Sequence, residues 1–308
     1  MKKIAFGKTG YQVSRLGFGG APIGYLKTDQ DRISQILNLL LDRGMNLIDT
    51  ASNYPGSEIS IGKAVGHRRD EFILVSKCGP ALADLPGKAW SEDLILATVD
   101  RSLRNAKTDH LDVMLLHSCN LETLQKGEAI GALVKARDAG KIRFIGYSGD
   151  NEAAAYAVSL PDVAALETSV NIADQINLKI VMPKAIENNV GVLAKRPIAN
   201  AAWKEMDKQE GLYQNYAKVY HDRLREMKLN PADLGFIGPA DEAWPELALR
   251  FTLSQPGVHC AIIGTTKPKN AEANIRCAEM GPLSDAVVRK IKTACSAADP
   301  HGKWAGQT

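Results

Sequence analysis

Phe72-Ile73-Leu74-Val75-Ser76-Lys77 is a short aliphatic run that stops on a cation, and runs of this kind decide the fold. Outward from it, similar runs recur at Arg15–Gly19, Asn46–Asp49, Asp112–His117, Arg143–Ser148, Val163–Val170, Gly191–Lys195 and Cys260–Gly264. Segments of helical period lie between them. In Arg32–Leu41, for example, Ile33, Ile36, Leu37, Leu40 and Leu41 form one apolar stripe. Ser91-Glu92-Asp93-Leu94 pairs an N-cap hydroxyl with acids in the first turn, and Gly44 and Gly140 follow helical patterns where a left-handed residue is wanted. Apolar strands alternating with amphipathic helices imply a parallel sheet covered by helices. Eight such units favour a closed (β/α)₈ TIM barrel over an open doubly wound sheet. The open sheet also lacks its signature: Gly17-Phe18-Gly19-Gly20-Ala21-Pro22 has the wrong spacing for GxGxxG and carries a proline.

Two pieces fall outside the repeat. Residues 1–14 contain Lys8-Thr9-Gly10 and read as a hairpin lid over the barrel floor. Residues 200–243 form a helical insertion after the seventh strand, with Trp203, Tyr213, Tyr216 and Tyr220. The tyrosine spacing is helical, and packing of an aromatic face is the expected use, ahead of ligand stacking. Residues 1–308 are expected to make a single domain, barrel and insertion together.

Composition narrows the function class. The 308 residues are 45% hydrophobic and 24% charged, with net charge +3 and scattered basic residues. Short basic stretches such as His67-Arg68-Arg69 are flanked by acids, which suits a solvated surface and not nucleic acid. The five cysteines, Cys78, Cys119, Cys260, Cys277 and Cys295, show no CxxC spacing, so neither a disulfide framework nor a zinc site is expected. No run approaches the roughly 18 apolar residues of a membrane helix. The N-terminus lacks the apolar core of a signal peptide. A cytoplasmic protein without a membrane partner is the expectation.

Barrel active sites sit at the C-terminal ends of the strands. Asp49, Lys77 and His117 end three successive apolar runs, and Tyr54 lies five residues beyond Asp49. Charged groups at such places need partners. A phenol titrates near pH 10, too high for proton exchange near neutrality, and a neighbouring ammonium lowers that value. Asp49 would keep Lys77 charged, and His117 would orient a carbonyl oxygen or pass a proton to Tyr54. These are the parts needed to protonate an oxygen while hydride arrives at its carbon.

The chain resembles the aldo-keto reductases. The stretches that carry the resemblance are Gly44–Tyr54, Val75-Ser76-Lys77, Asp109–His117, Lys141–Ser148 and Ile262–Thr266 through Asn274. The resemblance implies the barrel, NAD(P)(H), Tyr54 as general acid/base, and a tetrad completed by Asp49, Lys77 and His117. It implies further that Gly20, Asp49 and Ser148 face the cofactor. The family's Ser-Asn pair is here Ser148-Gly149, and its usual Gln on the sixth strand is here Glu167, which accepts from a carboxamide but cannot donate. Lys195-Arg196-Pro197 replaces the family's stacking aromatic and is expected to meet the pyrophosphate. Gly264, Thr265, Thr266, Lys267, Asn270 and Asn274 are expected at the adenosine end. Asn270 stands where many relatives have an arginine, and Lys267 is expected to take over the 2′-phosphate, so NADPH is favoured over NADH.

The function expected is reduction of an aldehyde or ketone, or the reverse. Two alternatives stand beside it: a Schiff-base aldolase or lyase using Lys77, and an NADP(H)-binding regulatory subunit with little turnover. Trp90, Trp203 and Cys119 are expected to line the pocket. Substrate identity and oligomeric state are not legible.

Overall fold

The computed structural model describes residues 1–209 and 213–307, with no side chains described for 208 and 213–215. Strands β1 (Lys3–Ala5) and β2 (Gln12–Ser14) pair antiparallel. The others are β3 (Leu16–Gly19), β4 (Leu47–Asp49), β5 (Ile73–Cys78), β6 (Leu111–His117), β7 (Ile142–Ser148), β8 (Val163–Ser169), β9 (Gly191–Lys195) and β10 (Cys260–Ile263). These eight close in the order β10-β3-β4-β5-β6-β7-β8-β9, all parallel. The expected (β/α)₈ barrel is therefore present, and every predicted strand falls within one residue of its place.

The helices follow their sequence signals. Gln30–Asp42 buries Ile33, Ile36, Leu37, Leu40 and Leu41, the stripe read from the sequence. Ser91 caps Glu92–Ala106 by accepting from the Leu94 amide. Gly44 and Gly140 close their helices in the left-handed region, at φ of 81° and 75°.

The hairpin β1–β2 shuts the floor of the barrel. Phe6, between its strands, is fully buried with Val13 among Leu47, Val75, Val113, Leu115, Ala165, Leu193 and Cys260, which fill the barrel axis. The Lys8 amide donates to the Asn189 carbonyl at 2.7 Å and ties the hairpin to the turn before β9. With the floor plugged, the open end is where the strands finish.

The insertion after β9 contains a helix at Tyr213–Met227, and the barrel pattern resumes with the helix Ala240–Leu253. A second apolar cluster joins them: Tyr220, Leu224 and Met227 pack with Leu247, Ala248, Phe251, Leu283 and Ile291. The C-terminal segment crosses the same end of the barrel. Asn151 bonds both the amide and carbonyl of Gly306, and Arg223 donates to the Ala305 carbonyl at 2.7 Å. No helix among the described residues is long and apolar enough to cross a membrane.

Candidate active site

Three neighbouring strands deliver the central cluster. Asp49 ends β4, Lys77 is the penultimate residue of β5, and His117 ends β6. Tyr54 sits in the loop after β4, where its amide donates to the Ala51 carbonyl at 3.0 Å and its carbonyl accepts from the Ser57 amide at 3.1 Å. Parallel register puts His117, Ser148 and Glu167 on one rung across β6, β7 and β8.

Lys77 is fully buried, and its ammonium is ringed by oxygens. It donates to Asp49 Oδ1 at 2.6 Å, to Asp49 Oδ2 at 2.8 Å and to the Thr50 carbonyl at 2.9 Å. Glu167 Oε2 stands 3.0 Å away as an ion-pair contact without hydrogen-bond alignment. Burial works against the Lys77 charge, but Asp49 and Glu167 overcome it and raise its proton affinity above the ordinary lysine range. Burial pushes the Asp49 carboxyl well up, with repulsion from Glu167 adding to it and Lys77 opposing it. Burial also opposes the Glu167 charge, yet Lys77 and Lys195 hold that carboxyl below its usual range.

Tyr54 meets three groups. The Lys77 Nζ lies 5.3 Å from its ring centre, and the rings of His117 and Tyr25 stand edge-on at 5.9 Å and 5.7 Å. The sequence suggests a phenol brought toward neutrality by Lys77. Here burial is the larger effect, and it lifts the phenol above its ordinary range although Lys77 pulls the other way. Tyr54 is thus held protonated. His117 is driven down to about 3, first by burial and then by the Lys77 charge, so its imidazole is neutral. Its Nδ1 is buried with no hydrogen-bond partner among the described residues.

A cleft of about 470 Å³ opens above this cluster. Asp49, Tyr54, His117, Ser148, Glu167, Lys195, Arg196, Pro197, Gly264, Thr265, Thr266, Lys267 and Asn270 all line it. Lys77 stands behind Tyr54. The family model for the aldo/keto reductase family matches residues 15–295. The chain belongs to that family. It is 29% identical to the aldo-keto reductase yakc [NADP(+)] of Schizosaccharomyces pombe, covering 94% of this chain and 91% of that one. It is 26% identical to the NADH-specific methylglyoxal reductase of Escherichia coli, covering 93% and 96%. The holo form of aldo-keto reductase AKR11C1 from Bacillus halodurans superposes with a TM-score of 0.80 at 27% identity, covering 96% of this chain and 97% of that one. This protein is accordingly an aldo-keto reductase enzyme, an oxidoreductase of NAD(P)H-dependent carbonyl chemistry.

As an aldo-keto reductase it departs from the sequence expectations at several places. Gly20 and Asn274 do not line the cleft: the Gly20 amide donates to the Asp49 carbonyl, with Gly19 lining the cleft in its stead, and Asn274 faces the buried side of the helix Pro268–Glu279. None of the three expected lining residues, Trp90, Trp203 and Cys119, is there. Trp203 stacks on Trp244 at 5.6 Å, Trp90 covers Gly79, and the Cys119 carbonyl accepts from the Tyr147 hydroxyl at 2.6 Å. The missing Asn of the Ser-Asn pair has a steric counterpart. A Cβ on Gly149 would lie 2.5 Å from the Tyr147 oxygen, so a side chain there would have to displace that ring.

The basic pair at the end of β9 is already engaged. Lys195 Nζ is 3.1 Å from Asp150 Oδ2. The Arg196 guanidinium donates to Ser169 Oγ at 3.2 Å and to the Gln307 carbonyl, and lies 4.7 Å from the Tyr216 ring centre. The insertion tyrosines divide. Tyr220 packs, donating to Asp174 Oδ2 at 2.8 Å, whereas Tyr216 is exposed on the cleft wall. The Tyr213 side chain lies outside the described residues. Sequence reading missed Tyr25, Asn53, Ser118 and Lys204 as lining residues. Ser118 has a trace in the backbone: it immediately follows a site residue, and its φ is 66°. Arg196 and the run Ala199–Ala201 are also at positive φ, and such strain, of order 1–3 kcal/mol per residue, gathers at functional walls.

Proposed function

We propose that this enzyme reduces a small aldehyde or ketone to an alcohol, or runs the reverse, with Tyr54 as the general acid/base. One observation carries the reading: a protonated phenol and a neutral imidazole face the same cleft, with a buried, carboxylate-held ammonium directly behind the phenol. The nicotinamide dinucleotide supplies or accepts the hydride. The chain's residues do the rest. Tyr54 gives its proton to the carbonyl oxygen as charge builds there, and the Lys77 ammonium stabilises the phenolate that is left. Asp49 keeps Lys77 charged and oriented. His117, being neutral, donates a hydrogen bond to the same oxygen without competing for the proton.

The cleft fits a dinucleotide. Its far wall is the turn Gly264–Lys267, which leads into the helix Pro268–Glu279 and offers backbone amides and hydroxyls to an anion. Lys267 is exposed at that end and is our candidate for a 2′-phosphate, which makes NADPH the preferred form. The names of the two relatives, one NADP(+) and one NADH-specific, span both choices. Residues 1–308 work as one unit in this reading, because the insertion helps wall the cleft and the tail bonds Arg196 on that wall. A cytoplasmic setting suits the five free thiols, three of them buried.

The Schiff-base alternative loses its nucleophile. Lys77 is fully buried and held charged by two carboxylates, so no lone pair is on offer. The deciding experiment is a titration of the purified protein with NADPH and with NADH by tryptophan quenching, followed by a carbonyl panel with the tighter cofactor. Saturable quenching with turnover on any aldehyde or ketone supports the proposal. Absence of binding by both quenching and calorimetry overturns it, and binding without turnover on any carbonyl or alcohol points to a regulatory subunit.

A further inference from the structure

We propose that Glu167 is a positioning residue that shares the Lys77 ammonium with Asp49, and that this second carboxylate couples binding of the oxidised nicotinamide to release of a proton. The inference rests on the nicotinamide reading of the cleft and goes beyond it. The aldo-keto reductase pattern has an uncharged Gln where Glu167 stands. A Gln there can only exchange hydrogen bonds, whereas a carboxylate changes the charge of the site.

The geometry leaves that charge uncompensated. Lys77 has three N–H protons and four oxygens around it: Asp49 Oδ1, Asp49 Oδ2, the Thr50 carbonyl and Glu167 Oε2, all within 3.0 Å. Both carboxylates are buried, at 4% exposure each. One ammonium neutralises one of them. The second must either stay ionised in a desolvated place or keep a proton, and two carboxylates so placed share one. The strong upward push on Asp49, to which Glu167 contributes, agrees with this.

The other groups facing Glu167 do not remove the surplus. Lys195 on β9 draws on it but is paired with Asp150 at 3.1 Å. His117 on β6 is neutral, and Tyr54 in the loop after β4 keeps its proton. Arg196 is turned to the Gln307 carbonyl and the Tyr216 ring. Glu167 itself lines the cleft.

The oxidised nicotinamide ring is a cation and the reduced ring is neutral. A cation brought to a cleft wall that carries Glu167 lowers the free energy of the second ionised carboxylate, so the shared proton leaves to solvent. By reciprocity, raising the pH tightens the oxidised cofactor and not the reduced one. The extra carboxylate therefore favours alcohol oxidation as the solution becomes more alkaline.

The test is calorimetry of the full chain with NADP⁺ and with NADPH between about pH 6 and pH 9, in two buffers of different ionisation enthalpy. The 2′-phosphate titrates equally in both cofactors, so the quantity to read is the ratio of their dissociation constants. We expect that ratio to move toward NADP⁺ by up to about tenfold per pH unit across the titration of the pair, with up to one proton released per NADP⁺ bound. In Glu167→Gln the slope and the proton release should vanish, and the ratio should shift about tenfold toward NADPH. A purely packing role for Glu167 would leave the ratio where it was. A wild-type ratio that is flat with pH overturns the proposal without any variant, as does a Glu167→Gln protein that keeps the slope. Failure of both cofactors to bind would bring down the nicotinamide reading as well, so the two failures are distinguishable.

Discussion

Lys77→Met keeps the aliphatic stem and removes the ammonium between Asp49 and Glu167. In the wild type that ammonium makes contacts of 2.6, 2.8 and 3.0 Å to the two carboxylates. Breaking a buried ion pair by deleting one partner costs about 3–5 kcal/mol, because the remaining charge is left without compensation. The pH dependence follows from the signs. Glu167, depressed in the wild type, lends stability that is present above its unfolded value and lost as pH falls through its folded one. Lys77, raised, lends stability that is complete below the unfolded value near 10.4 and is lost only as pH rises through the folded one. Asp49 is raised already in the wild type, and without Lys77 Glu167 rises above its unfolded value near 4 as well, so the folded state holds a further proton that the unfolded state has shed. Each retained proton then lowers stability by up to about 1.4 kcal/mol per pH unit. Urea unfolding followed by circular dichroism should show a deficit of about 3–5 kcal/mol near pH 7.5 that shrinks toward pH 5. Lys77→Met/Glu167→Gln should recover part of it, with a coupling of roughly 0.5–3 kcal/mol. A deficit below about 1 kcal/mol, or one that is the same at both pH values, refutes the claim that Lys77 holds two buried carboxylates together.

Other outcomes are equally specific. Tyr54→Phe should lower kcat for carbonyl reduction roughly 10²–10⁴-fold while the cofactor dissociation constant moves by less than about twofold, and steady-state kinetics beside a fluorescence titration would check it. Lys267→Ala should weaken NADPH by about two- to fivefold and leave NADH nearly unchanged, because the lysine is exposed and acts as a screened point charge. Asp174 accepts from the Tyr220 hydroxyl and the Gln307 amide at 2.8 and 3.1 Å, and burial lifts its carboxyl to about 6. A raised carboxyl lends stability that is complete below the unfolded value near 4 and is lost as pH climbs to about 6. Thermal melts of Asp174→Asn should therefore lack a loss that the wild type shows across that window. An unchanged pH profile would remove Asp174 from the account.

The geometry of the candidate site is legible because each strand of a parallel barrel ends at the same mouth. Asp49, Lys77 and His117 could be found by counting to the ends of apolar runs, and the structure puts all three around Tyr54. The cofactor side was harder to read. Gly19 lines the cleft, whereas the Gly20 amide is bonded to the Asp49 carbonyl, and no local pattern tells the two glycines apart. Trp90 and Trp203 lie in loops whose paths the sequence does not place, and in the structure they pack on Gly79 and Trp244.

By itself the sequence determined the strand order, the plugged floor, the insertion after β9 and the identities at the strand ends, because strand and helix patterning are local and the barrel's closure gives them one outcome. Tertiary structure decided what is electrostatic and what is shared. Whether Tyr54 is a phenol or a phenolate depends on how far burial outweighs Lys77. That Glu167, 90 positions beyond Lys77 in the chain, comes to its ammonium is a matter of register around the closed sheet. That Arg196 is engaged by Gln307 and Tyr216 depends on a tail and an insertion folding over the same mouth. Desolvation and charge pairing are set by the sum of distant neighbours, and no window of sequence contains that sum.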